Sequence, residues 1–256
     1  MGDPPPRRPR ARRLAGLLLV LMIVLGGALA GTVYFTDYAD GLKSVLLSSA
    51  ASPDTRTVTA PLTDRTTGAF EVVTGTTRVT VRSEDLGADL YRITSAEDSG
   101  TVPYPVVDGD RVRLHLTPDG DGAGGDVEVI LSTRVTWALR FTGGADEQVV
   151  DFARGKVSAV DFVGGARRIE VNLPDPKGTV AVRLSGATDE FVIKAPKTSP
   201  VRVHVDSGAK TVAAGERTFR DVEPGSTLTP RNWEAEDRYD VDAAAKVTLL
   251  SVQNAG

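Results

Sequence analysis

Four short stretches decide the fold: FTGGADE at 141–147, FVGGARR at 162–168, LSGATDE at 184–190 and VDSGAKT at 205–211. A Gly-Ala pair returns in them at spacings of 21, 21 and 22 residues. Before each pair, apolar residues alternate with other residues, as in Val180, Val182 and Leu184. A period of two indicates half-buried strands, and self-similarity at about twenty residues is typical of stacked repeats. The sequence therefore predicts a unit of strand, corner, strand and second turn.

Glycine suits such a corner because it accepts φ > 0, and alanine beside it fits a crowded inward position. We therefore predict four equivalent structural corners. Their residues are Gly144 and Ala145, Gly165 and Ala166, Gly186 and Ala187, and Gly208 and Ala209.

The residues that follow the corners alternate in charge from one repeat to the next. They are Asp146 and Glu147, then Arg167 and Arg168, then Asp189 and Glu190, then Lys210. In a parallel stack, equivalent corners lie about 4.8 Å apart, where opposite charges attract and like charges repel. We predict an all-β, parallel β-solenoid-like domain over residues 56–253, with these side chains as a charge ladder on one exposed edge. An Asp-Gly hairpin turn is predicted within Val106–Val112.

The N-terminus has the pattern of a membrane segment. Residues 14–36 are 23 residues without a charge, enough to span a hydrocarbon core of roughly 30 Å as a helix. Five of the thirteen residues before them are arginines, which predicts a cytoplasmic tail at 1–13 and an extracytoplasmic C-terminal side. Residues 37–55 are interpreted as a stalk. A cleavable signal peptide ending near Ala30 is the open alternative, and it would export the same domain.

Composition and charge limit the kinds of site and the classes of partner that the chain can have. The chain has 256 residues and no cysteine, so disulfides, thiolate nucleophiles and cysteine metal sites are excluded. Without residues 1–13, the totals of 30 basic and 34 acidic residues become 25 and 33. Nucleic-acid binding is therefore disfavoured, because affinity for a phosphate backbone comes from basic side chains.

No residue pattern predicts catalysis, a cofactor or a metal. His115 and His204 each lie in an alternating strand, where an outward-facing position is expected. The carboxylates at 146–147 and 189–190 could suggest a glycosidase pair, but arginines between them would keep both ionised. Asp119, Asp121 and Asp126 lack the spacing of a calcium loop, and a flexible hairpin loop is expected instead.

The Gly-Ala corners, the segment 200–209 and the ending 233–243 resemble a bacterial group known as the "putative adhesin" family. They also resemble the related C-terminal domains of cell-wall-active antibiotic response proteins. The resemblance covers most of residues 65–253 and implies a right-handed β-solenoid-like domain, commonly membrane-tethered and without assigned activity. The sequence departs from the family at 243–246, where alanines replace a glycine-rich corner.

We therefore expect a membrane-anchored, extracytoplasmic, non-enzymatic interaction module of the bacterial envelope. Its expected partners are the membrane, another envelope protein or a cell-wall polymer, and its own copies. A regulatory accessory of an envelope-stress signalling system is the alternative. A polysaccharide-active enzyme is a third hypothesis that depends on fold analogy alone.

Overall fold

The structure, a computed structural model, describes residues 55–120 and 124–255, the last two by backbone alone. The tail 1–13, the apolar segment 14–36 and all but the last residue of the stalk 37–55 lie outside the described residues. Among the residues that are described, no helix has the length and apolar character needed to cross a membrane.

The described residues contain nineteen strands and one 3₁₀ turn, Glu97–Ser99, joined by turns and loops, so the predicted all-β class is confirmed. The strands are β1 (Thr55–Pro61), β2 (Thr67–Val72), β3 (Thr76–Glu84), β4 (Asp89–Ala96), β5 (Thr101–Asp108), β6 (Arg111–Pro118), β7 (Asp126–Ser132), β8 (Thr136–Phe141), β9 (Ala145–Asp151), β10 (Val157–Phe162), β11 (Ala166–Asn172), β12 (Thr179–Leu184), β13 (Thr188–Pro196), β14 (Val201–Val205), β15 (Ala209–Ala214), β16 (Arg217–Val222), β17 (Ser226–Leu228), β18 (Arg238–Ala243) and β19 (Val247–Ala255).

The strands form two sheets. The ten-stranded sheet A has the order β1-β4-β7-β3-β9-β11-β13-β19-β15-β16, and the nine-stranded sheet B has the order β17-β14-β18-β12-β10-β8-β2-β6-β5. Each coil of the chain contributes one strand to sheet B and the next strand to sheet A. Neighbouring coils pair in parallel, as the register of Phe141 on Phe162 and of Ala145 on Ala166 shows.

The alternating apolar residues point between the sheets. Val180, Val182 and Leu184 are all buried. The rings of Phe141 and Phe162 stack at 5.0 Å within sheet B, and the ring of Phe162 meets that of Phe191 on sheet A edge-on at 5.7 Å. Burial of these side chains is what binds the sheets, since apolar area removed from water contributes roughly 25 cal/mol per Å².

The order of the coils in space differs from their order in the sequence. The last coil, β18 and β19, lies between the coil of β12 and β13 and the coil of β14 and β15. The fourth corner therefore does not rest on the third, because Val247 lies between Thr188 and Ala209. The antiparallel strands β16 and β17 occupy the outer edges of β15 and β14, so only their inner edges accept the last coil.

The other end is built similarly. The coil of β6 and β7 pairs with the outer edges of β2 and β3, and β1, β4 and β5 complete this end with antiparallel pairs. The Asp-Gly hairpin predicted within Val106–Val112 is confirmed as the turn between β5 and β6, with Gly109 at φ 58°.

Candidate functional site

The corners are glycine-rich for a reason other than the predicted one. Gly144, Gly165 and Gly186 do not have a positive φ, and among the predicted corners only Gly208 does, at 76°. Instead, successive backbones touch at the corners. A Cβ on Gly164 would lie 2.5 Å from the carbonyl oxygen of Gly143. Such contact would force a backbone shift, so it is close packing of coils that requires glycine here.

The third Gly-Ala pair is out of step with the others by one residue. Ala145 and Ala166 are register partners, but the partner of Ala166 on β13 is Thr188, not Ala187. Thr188 is accordingly buried, whereas Ala187 is exposed. Ala209 is also buried, but beside Val247. The inward position predicted for alanine at all four corners is therefore wrong for Ala187.

Part of the predicted ladder lies in one row of charges on the outer face of sheet A. We call it row A, and its five members are register partners on β7, β3, β9, β11 and β13. They are Asp126, Arg78, Glu147, Arg168 and Glu190. The ion pairs run along the whole row: Arg78 Nε lies 2.7 Å from Glu147 Oε2, and Arg168 pairs with both Glu147 and Glu190. Arg78 and Asp126 were missed because their coils lack the Gly-Ala pair.

The remaining ladder residues lie one position earlier, at the corners themselves. Arg167 Nε lies 3.1 Å from Asp146 Oδ1, and Asp189 is beside Arg167 in the register. The prediction that Lys210 continues this column next to Asp189 is wrong, because β19 separates β13 from β15. Lys210 instead lies 3.8 Å from Asp221 on β16.

Hydrogen bonds in and beside row A shift the pKa values of Glu170 and Arg168. Glu170 accepts hydrogen bonds from Lys194, at 2.5 Å, and from Arg168, at 2.9 Å. These bonds stabilise the carboxylate, so the pKa of Glu170 is lowered. The same carboxylates, Glu170 and Glu190, raise the pKa of Arg168 through their hydrogen bonds. A general acid needs the opposite arrangement, so this cluster is suited to structure and not to proton transfer.

Sheet B carries a second row that sequence reasoning missed entirely. Row B crosses eight strands in the order β6, β2, β8, β10, β12, β18, β14 and β17. Its register partners are Arg113, Glu71, Arg140, Asp161, Arg183, Asp242, His204 and Thr227. The signal was present, because in six strands the row B residue stands directly before the buried apolar residue that ends the strand, as in Arg140-Phe141 and Asp161-Phe162.

Row B is paired at its centre and interrupted at Asp242. Arg140 lies 3.3 Å from Asp161 and 3.8 Å from Glu71, and Arg183 lies 3.8 Å from Asp161. Asp242 has no ion pair among the described residues, and its Oδ1 is inaccessible to solvent without a hydrogen-bond partner.

His204, on the other side of Asp242, is also turned away from it. Its Nε2 lies 2.6 Å from Asp206 Oδ1, and its Nδ1 lies 2.7 Å from Thr227 Oγ1. The imidazole lies on the outer face of sheet B, as predicted, and is half-buried. A shallow depression of about 360 Å³ lies at this interruption. Its lining comprises Ala181, Arg183, Arg202, His204, Thr227, Asp240 and Asp242.

Trp233 covers one side of this region. The guanidinium carbons of Arg202 and Arg238 lie 4.2 and 4.5 Å from the centre of its ring. Arg202 in turn forms a bidentate pair with Asp240, at 2.9 and 2.5 Å. These cation–π contacts hold the guanidinium groups of both arginines against the ring.

Two described carboxylates of the loop at 117–126 pair with different arginines. Asp119 pairs with Arg56, and Asp126 lies 3.7 Å from Arg78. Asp121 lies outside the described residues. Across residues 55–120 and 124–255, no group of three histidine or acidic side chains is placed to hold a metal ion.

Comparisons with known proteins show the fold. A cell adhesion protein from Clostridium sporogenes, named "putative", superposes with a TM-score of 0.58 at 9% identity, over 80% of this chain and all of that one. A "putative adhesin" from Bacteroides fragilis covers the same share of this chain and 98% of its own at 9% identity, but its TM-score is only 0.28. No protein-family model and no curated protein matches the sequence.

Proposed function

We propose that this chain is a non-enzymatic, adhesin-like interaction module, anchored to a membrane by residues 14–36 and presented on its outer side. In this proposal the coils wind right-handed, as β-crossover connections do in nearly all proteins. The partner is a component of the bacterial envelope, either a protein or a cell-wall polymer.

The observation that carries the proposal is the way row A uses its charged groups. The carboxylates best placed for acid–base work, Glu147 and Glu190, share Arg168 between them. Glu170 beside them is held ionised by Lys194 and Arg168. Catalytic groups are normally tuned towards neutral pH, whereas the lowered pKa of Glu170 keeps that carboxyl group charged. Side chains used in this way order neighbouring coils and keep the surface rigid.

Row B supports the same role on the opposite sheet. Alternating charges pair strand to strand through Glu71, Arg140, Asp161 and Arg183. Charges that neutralise one another on a flat face leave little net field to attract a charged substrate. Binding is therefore expected where the strand pairing ends, not on the faces. The fold shared with the Clostridium sporogenes protein is consistent with this role but does not decide it.

The test uses the full chain in bacterial cells, with different epitopes at the two termini. In intact spheroplasts treated with protease, the C-terminal epitope is expected to disappear while the N-terminal one survives in the membrane fraction. Survival of both epitopes would contradict the proposed orientation. Loss of the N-terminal epitope with release of the domain would instead show cleavage near Ala30.

A second measurement addresses the interaction itself. Purified full chain is expected to co-sediment with envelope fragments of its host, and nuclease is not expected to release it. Release of reducing sugars from those fragments, dependent on Glu147 or Glu190, would overturn the non-enzymatic proposal.

A further inference from the structure

The two ends of the coil stack differ in how they are closed. At the end formed by β1, β4 and β5, strand β5 of sheet B packs against β1 and β4 of sheet A. The two sheets therefore meet there and cover the core with the chain's own strands. At the other end, sheet A finishes in β16 and sheet B in β17. A cleft of about 370 Å³ lies between these two strands.

We call this space the end cleft. It is lined mostly by apolar and small residues from both sheets, among them Val201, Val203, Phe219 and Leu228. Phe219 lies at the cleft with 37% of its surface exposed. Its volume is within the range of pockets that hold small ligands or single side chains.

The edge strands β5 and β16 also differ. β5 contains Pro103 and Pro105, which lie two residues apart and therefore remove two N–H donors from the same edge. Prolines of this kind are a known device against strand addition. β16 has no proline, and its outer edge has no partner strand among the described residues. The regular part of that edge is 217–220, because Asp221 turns to φ 49°.

The charged side chains at the end cleft have one sign. Among the described residues that line it, only Lys197 and Arg217 are charged, and both are basic. The chain beyond residue 13 has 25 basic against 33 acidic residues, so a cleft whose described lining is basic differs from the chain as a whole. Arg217 is exposed and has no ion pair or side-chain hydrogen bond among the described residues. Acidic residues beside an apolar group would complement this arrangement.

We propose that the end cleft binds an extended peptide segment of another protein, with an apolar side chain flanked by acidic residues. The segment pairs its backbone with β16 at 217–220, which is strand addition to an open edge. Its apolar side chain enters the cleft against Phe219 and Leu228. The acidic residues lie beside Arg217. This inference deepens the proposed interaction role and rests on it, by giving the partner a chemistry.

The test uses three fluorescein-labelled peptides with the purified full chain in detergent micelles, followed by fluorescence anisotropy. The first has a Val-Leu-Val centre between pairs of glutamates. The second has lysines in place of the glutamates, and the third is N-methylated at alternate residues of the centre so that it cannot pair with a strand. The first peptide is expected to bind at least about tenfold more tightly than the other two.

Two variants locate the site. Phe219→Asp is expected to weaken binding of the acidic peptide about tenfold or more by placing a charge at the cleft. Val107→Asp is the matched control, because Val107 is 42% exposed on the edge strand of the opposite end, and it is expected to leave binding unchanged. Arg217→Glu, which changes only an exposed charge, is expected to reverse the preference between the glutamate and lysine peptides.

Equal binding of the N-methylated peptide, equal loss in Val107→Asp, or no binding of the acidic peptide would each overturn the inference. A doubled mass by light scattering that Phe219→Asp abolishes would also overturn it, because a second copy would then occupy the cleft. These results concern purified protein only. The protease experiment on cells can succeed when they fail, so failure of this inference is distinguishable from failure of the proposed function.

Discussion

Replacing Arg168 with methionine tests whether row A holds the coils together. Arg168 contacts Glu147 at 3.9 Å, Glu170 at 2.9 Å and Glu190 on the next strand. In the variant Glu147 keeps Arg78 and Glu170 keeps Lys194, but Glu190 has no other ion pair among the described residues. Partly exposed pairs are worth about 0.2–1 kcal/mol each. We therefore expect the free energy of unfolding to fall by about 1–2 kcal/mol.

The assay is urea unfolding of the full chain in detergent micelles, followed by tryptophan fluorescence, to which the buried Trp137 contributes. Arg167→Met is the control, because Arg167 is 72% exposed and has one ion pair, with Asp146. Its cost should stay below about 0.5 kcal/mol. In about 1 M salt, where the Debye length is about 3 Å, the difference between the variants should shrink. Equal costs for the two variants, or a difference that salt does not change, would refute the reasoning.

Three further predictions concern packing, pH and row B. Gly164→Ala should lower the free energy of unfolding by about 3 kcal/mol, because its Cβ would meet the Gly143 backbone at 2.5 Å. The control Gly178→Ala has open space around the new Cβ but a φ of 68°, so it should lower the free energy of unfolding by only about 1–2 kcal/mol. Equal losses in the two variants would contradict close contact between the coils. Because the pKa of Glu170 is lowered on folding, the stability that its carboxylate contributes is present above its unfolded pKa of 4.5 and is lost as the pH falls through the folded pKa. Glu170→Gln should therefore be less stable than wild type at pH 7 and equally stable in acid. A difference in urea midpoints that stays constant across pH would be the contrary result. Asp161→Asn should lower the free energy of unfolding by about 0.5–1 kcal/mol, since Asp161 pairs with Arg140 and Arg183. Asp242→Asn should leave the free energy of unfolding unchanged or raise it. A larger loss for Asp242→Asn, measured by urea unfolding, would show that row B continues through Asp242.

Local patterns in the sequence predicted much of the fold. The alternation around Val180–Leu184 is a property of neighbouring residues, and the near-constant repeat spacing made parallel stacking predictable in β8 to β13. The sign change from Glu147 to Arg168 to Glu190 pointed to strands that are register partners. These inferences needed only the assumption that successive repeats lie side by side.

The same assumption failed where the chain returns to an earlier position. The coil of β18 and β19 inserts beside β12 and β13 from about sixty residues away, and no local signal distinguishes it from a terminal coil. Lys210 was misplaced for that reason. The one-residue shift at Ala187 was missed because the repeats were aligned on their Gly-Ala pairs. In the third repeat this pair occupies the positions that Gly164 and Gly165 hold in the second. Row B was missed because single charged residues within strands were interpreted as ordinary outward positions.

Cysteine cross-linking tests the order of the coils most directly, since the chain has no cysteine of its own. In the register, Thr248 lies between Asp189 and Lys210. Neighbouring strands are about 4.8 Å apart and strands two apart about 10 Å, and a disulfide requires Cα atoms within about 7 Å. Asp189→Cys with Thr248→Cys, and Thr248→Cys with Lys210→Cys, should therefore form disulfides on mild oxidation, whereas Asp189→Cys with Lys210→Cys should not. Cross-linking of the third pair in place of the first two would contradict the insertion of the last coil, and with it the structure on which both proposals depend.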